Sequence, residues 1–205
     1  MSVQLVAAVA GTPIPVDEVD AAEARLRSGP DAAALPASGT SEGRQLRRWL
    51  TQLIVTERVV AAEAAARGLT TRDAPTEAEL LPDVTARLEI GSITAAALAD
   101  PHARALFADV TAAVQVTDDD VADYHARNPL RFAAPRPGRD GWRAPSPFGP
   151  PLGEVRSAIT EHLRGAARRR VFRVWLDARR AALVQLAPGY EHPGDPRQPD
   201  NTHRH

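Results

Sequence analysis

The chain has 205 residues, 43% of them apolar and only 4% aromatic, and alanine supplies much of the apolar share, which suits slim helices better than a thick sheet sandwich. It has no cysteine, which excludes disulfides, thiolate zinc sites and cysteine nucleophiles, and no lysine, so all 25 basic residues are arginine. Net charge is −1 but uneven: residues 1–130 carry 19 acids and 11 arginines, residues 131–205 carry 7 acids and 14 arginines, so the halves either neutralise each other or offer a basic C-terminal surface to an acidic partner.

Leu5 to Val9 is a short apolar run closed by Gly11-Thr12-Pro13. It has no basic region before it and reads as a strand, not a signal peptide. No run reaches the roughly 18 apolar residues of a membrane span. The expectation is a soluble, cytoplasmic chain with no membrane partner. Asp17 to Arg27 follows as a helix with Val16, Val19 and Leu26 on one side, stopped by Gly29-Pro30, and residues 28–43 read as a loop.

The clearest helical period lies in Glu42 to Arg67. There Leu46, Leu50, Leu53, Ile54, Val60, Ala61 and Ala64 recur at helical spacing, Trp49 flanks them, and Gly68 stands in the capping position. Residues 76–114 predict two or three shorter helices, broken near Gly91-Ser92 and at Asp100-Pro101. Val114 to Val116 is a possible strand. Thr117 then caps a helix that opens with Asp118, Asp119 and Asp120 and ends near Asn128-Pro129.

Residues 133–151 are Pro-rich and predict an extended linker. From Leu152 a long helix runs to about Arg180, its apolar positions being Leu152, Val155, Ile159, Leu163, Ala166, Val171, Phe172, Val174, Trp175 and Leu176. Leu183 to Leu186 reads as a closing strand, and residues 188–205 as an extended polar tail.

Four segments carry a family pattern: VAAVAGTPIPVDEVDA, LTQLIVTERVVAAEAAARGLT, VTDDDVADYHARNPLRF, and PPLGEVRSAITEHLRGAARRRVFRVWLDARRAALVQL. In this order they resemble the N-terminal chaperone region of SurA/PrsA-like, parvulin-associated proteins. The resemblance covers about three quarters of the chain. It implies a mainly α fold: a helical body in which the long C-terminal helix packs back on the N-terminal helices, with a small β-sheet joining the first and last strands. The implied organisation is an N-terminal region 1–132, a linker 133–151 where the family carries its parvulin isomerase domain, a completing helix and strand 152–187, and a tail 188–205. The join at 133–146 is too short to bury a core of its own. The resemblance thus implies a non-enzymatic module that binds unfolded polypeptide or a protein client, without prolyl isomerase activity.

Other motifs carry weaker chemistry. Gly39-Thr40-Ser41-Glu42-Gly43 matches G-x-S-x-G, but a nucleophile elbow needs a strand before it. The alternative is that Thr40 or Ser41 caps the next helix. Glu57, near an apolar stripe, reads as a general acid or base or as the ion-pair partner of Arg58 or of an arginine on the C-terminal helix. Asp118 to Asp120 lack the alternating ligands of a calcium loop. His102, His125 and His162 are expected on solvated helix faces. The arginines at 164, 168, 169, 170 and 173 lack an aromatic stacking platform, so no nucleic acid is expected as partner. The tail holds His192, His203 and His205 with Asp195 and Asp200. It reads either as a solvated end or as a segment that binds Zn²⁺, Ni²⁺ or Cu²⁺, which imidazole and carboxylate suit. That second reading makes the chain a metal-handling accessory protein.

Overall fold

In the computed structural model, which describes residues 4–132, 136–137, 143–144 and 149–191, the first strand is the centre of a sheet. Strand β1 (Leu5–Val9) turns through Ala10 and Gly11, both at positive φ (49° and 79°), into β2 (Thr12–Pro15). Two central residues with positive φ are what a two-residue hairpin matching strand twist demands. Pro13 and Pro15 lack an N–H for a second neighbour, so β2 sits at the edge, as prolines in strands require. The other side of β1 takes the last strand, β5 (Val184–Leu186), antiparallel, with Val9 opposite Val184 and Ala7 opposite Leu186.

Helix α1 (Val16–Arg27) leads through a 3₁₀ turn, Ala32–Ala34, to α2 (Ser41–Ala66). Helix α2 is the central post of the body, in contact with β1, with α1 and with two of the short helices that follow. Four short helices follow: α3 (Glu77–Leu80), α4 (Val84–Ile90), α5 (Ser92–Ala97) and α6 (Pro101–Val110). Their boundaries are chemical. Thr76 and Glu79 form a capping box, Asp83 accepts from Ala86 N–H, and Asp100 accepts from His102 N–H with Pro101 at the first position. The main core joins Val6, Ile14, Val19, Val55, Val59, Leu98, Leu106 and Phe107 to Phe172 and Leu176 of the last helix.

That last helix, α8 (Leu152–Leu183), has 32 residues and so spans roughly 48 Å. Its second half closes the main core. Its first half packs with α7 (Asp118–Arg127) around a smaller core of Val121, Val155 and Ile159, edged by Val116, Tyr124, Phe132 and Leu163. The fold is therefore mainly α, with the long C-terminal helix returned onto the N-terminal helices and a small sheet uniting the first and last strands.

Several sequence expectations change. Val114 to Val116 forms no strand; the chain leaves α6 irregularly and Val116 packs in the small core. The linker carries two short strands, β3 (Arg136–Pro137) and β4 (Arg143–Ala144), paired antiparallel. Val171 and Val174 face outward because Phe172 and Leu176 occupy the core face of α8. Ala61 is likewise exposed, whereas Thr51, Gln52 and Thr56, polar residues outside the apolar stripe, are buried. Among the described residues no helix is long and apolar enough to cross a membrane.

Candidate functional site

Helix α8 brings a row of arginines against the N-terminal body, and the body answers most of them. Arg156 pairs with Asp118 at 2.5 Å. Arg169, 6% exposed, donates from Nε to Glu89 at 2.8 Å and from Nη1 to the Leu80 carbonyl at 3.2 Å. Arg173 donates to the Glu89 carbonyl, Arg179 pairs with Glu63, and Arg180 donates to Thr56 and to Gln52. Burial lowers the Arg180 guanidinium below its ordinary value, with Asp177 working the other way. The acidic and basic halves of the sequence thus meet across this seam.

Between α3–α4 and α8 the seam opens into a cleft of about 620 Å³. One wall carries Glu79, Asp83 and Glu89; the other carries His162, Arg164 and Arg168, with Arg131 at the end near α7. The carboxylates of the first wall are committed. Glu79 accepts from the Thr76 N–H and hydroxyl, Asp83 caps α4, and Glu89 holds Arg169. Arg168 donates from Nε to Thr111 Oγ1 at 2.8 Å and lies 5.1 Å over the Phe107 ring. Its guanidinium is held below its ordinary value by burial and then by the neighbouring Arg164.

His162 sits at the end of the cleft with its ring 5.3 Å from Tyr124 and 6.2 Å from Phe132. Burial first and Arg131 second push its pKa down, so it is neutral near pH 7. The apolar part of the lining is Ala78, Pro82 and Ala158, all exposed, whereas the exposed Val84 and Leu88 of α4 and Leu130 lie outside the lining.

The residues singled out in the sequence fall elsewhere or take other roles. In the G-x-S-x-G run, Thr40 is the cap: its hydroxyl accepts from Gly43 N–H at 3.0 Å. A Cβ on Gly43 would stand 2.3 Å from the Ala37 carbonyl oxygen, so close packing accounts for that glycine. No strand leads directly into Ser41, so the elbow geometry is absent. Arg58 pairs with Glu18 at 2.9 Å, and no ion pair reaches Glu57 among the described residues. Desolvation, then Asp100, raises the Glu57 carboxyl. Asp118 binds Arg156, and Asp120 completes a capping box with Thr117.

His162 is not on a solvated face but in the aromatic cluster above. His125 Nε2 lies 2.9 Å from the Pro150 carbonyl oxygen, the geometry of a ring N–H donating to it. The proposed metal ligands His192, Asp195, Asp200, His203 and His205 lie outside the described residues. Among the described residues no group of three or more metal-ligating side chains comes together. Sequence reasoning missed the cleft itself. The signal available was the charge asymmetry; what it lacked was which arginines the N-terminal acids would leave unpaired.

The model of a family of unknown function, DUF7158, matches residues 5–42, from β1 through α1 into the first turn of α2. No curated protein and no solved structure matches the chain. The family match takes in the hairpin and the Thr40 cap and does not extend to the cleft.

Proposed function

We propose that this chain is a non-enzymatic, SurA-like holding protein that binds unfolded or extended segments of a client polypeptide and has no prolyl isomerase activity. The observation that carries the reading is the cleft between α3–α4 and α8, whose lining mixes charged side chains with small apolar ones. An extended peptide needs hydrogen-bonding groups for its main chain and apolar contacts for its side chains. The cleft offers the first in its arginines and His162, and the second in Ala78, Pro82 and Ala158. Its size, about 620 Å³, lies within the ~300–1,000 Å³ usual for binding clefts.

The join between α7 and α8 agrees with the same reading. A Cβ on Gly149 would stand 2.0 Å from the Pro129 carbonyl oxygen, so the chain leaves and re-enters the body at one point. That is where the resembled family inserts its isomerase domain, and close termini are what domain insertion requires. A cytoplasmic site of action is part of the proposal.

Light scattering from a chemically denatured client, diluted with and without the full chain in several-fold excess, tests the function. The chain should slow aggregation. The double variant Ala78→Glu/Ala158→Glu, which crowds and charges the apolar part of the lining, should be less effective at an unchanged unfolding midpoint, because both positions are already in water. Aggregation at the same rate with and without the chain would overturn the proposal. Catalysed cis/trans exchange on a proline peptide would overturn its non-enzymatic part.

A further inference from the structure

The two walls of the cleft differ in what they have left to offer. Its acidic wall is used up by the fold: Glu79 on Thr76, Asp83 on Ala86 N–H, Glu89 on Arg169. On the basic side, no carboxylate among the described residues pairs with Arg131, Arg164 or Arg168. Arg164 and Arg168 stand one helical turn apart on α8, where like charges repel. Arg168 is fixed by Thr111 and the Phe107 ring, so it cannot swing away to relieve that repulsion. A guanidinium held in place beside a second, exposed one, each with several donors, is suited to carboxylate oxygens.

Resting on the holding function above, we propose that the cleft selects acidic segments of the client, with Arg131, Arg164 and Arg168 binding aspartate or glutamate side chains. The lining decides between polypeptide and a phosphate polymer. Glu79, Asp83, Glu89 and Glu161 line the same cleft, and a continuous run of phosphates would lie against them. A peptide sets its few carboxylates against the arginines and its apolar side chains against Ala78, Pro82 and Ala158.

Fluorescence anisotropy on the full chain tests this with three labelled probes of similar length: a peptide alternating glutamate and leucine, one alternating arginine and leucine, and a single-stranded oligonucleotide. The acidic peptide should bind tightest, and its affinity should fall as salt shortens the Debye length below about 10 Å. Arg131→Ser/Arg164→Ser alters two exposed side chains without an ion pair and should weaken that binding by about tenfold or more. Arg127→Ser/Arg170→Ser removes the same charge from the α7–α8 groove on another face of α8 and should leave binding within about twofold. Thermal melts establish that both variants fold.

Equal losses in the two variants would overturn the site, since binding would then follow net charge alone. Tighter binding of the oligonucleotide would overturn the ligand class, and so would equal binding of the acidic and basic peptides. If the acidic peptide fails to bind while the chain still suppresses aggregation, only the acidic selectivity falls. If aggregation is not suppressed either, the holding function falls with it.

Discussion

Arg169 of α8 and Glu89 of α4, 80 residues apart, both in the lining of the cleft, form the ion pair that fastens the long helix to α4. The same guanidinium also reaches the Leu80 carbonyl, which ties the end of α3 to the seam. Arg169 is buried and Glu89 is partly exposed. Removing the arginine therefore leaves a buried carbonyl without its donor, whereas removing the acid charge leaves a cation that still has Leu80.

Arg169→Ala should thus destabilise the fold by about 2–3 kcal/mol, the range for hydrogen bonds to a buried charge. Glu89→Gln should cost less than about 1 kcal/mol, because the amide oxygen still accepts and the site is half open to water. Urea unfolding of both variants checks the order. Equal midpoints would mean that α8 is held by its apolar face alone.

Phe172 is the aromatic anchor of α8. It is 1% exposed and meets Phe107 at 4.9 Å, while Trp175 is partly buried, stacks on Phe172 at 5.6 Å and carries Arg67 at 5.2 Å. Phe172→Ala should cost about 3–5 kcal/mol and Trp175→Ala distinctly less, since only the first empties a closed site. Calorimetric melting of the pair decides it; a larger loss for Trp175→Ala would place the anchor one residue cluster away.

Acid should loosen the contact between α1 and α2 before the rest. Glu23 is buried, and desolvation acts to raise its carboxyl, but hydrogen bonds from Arg27 at 2.8 Å and Arg47 at 2.7 Å outweigh this and hold it below its ordinary value of 4.5. A depressed carboxylate contributes stability above the unfolded pKa and loses it as pH falls through the folded one. The melting temperature of the native chain should therefore fall more steeply than that of Glu23→Gln as pH drops below 4.5. Parallel profiles would show that this carboxylate does not couple to folding.

The C-terminal segment is part of the body as far as Tyr190. Its carbonyl accepts from Gln52 Nε2 at 2.7 Å, and its ring packs on the main core. A chain ending at Ala187 should melt lower than one ending at Glu191, by an amount corresponding to about 1–3 kcal/mol for the stranded Gln52 amide. Equal melting temperatures would show that the amide finds water instead.

Much of the fold was legible in the order of residues because it rests on local rules. The strand at Leu5–Val9, the helices at 16–27, 41–66, 118–127 and 152–183 and the strand at 184–186 follow from apolar period, caps and turn residues. The caps at Thr76, Asp83, Asp100 and Thr117 are decided within three residues of themselves. Burial of polar groups was not legible. Gln52 and Thr56 look like a solvated face of α2 until α8 lays Arg180 against them, and Val171 and Val174 look like core until Phe172 takes the inward direction. The cleft is of the same kind. Sequence alone set the excess of arginine in the C-terminal part, but only packing decided which arginines meet Glu63, Glu89 and Asp118 and which face open space. An ion pair or a buried hydrogen bond depends on partners up to 138 residues away, and no local pattern encodes that distance.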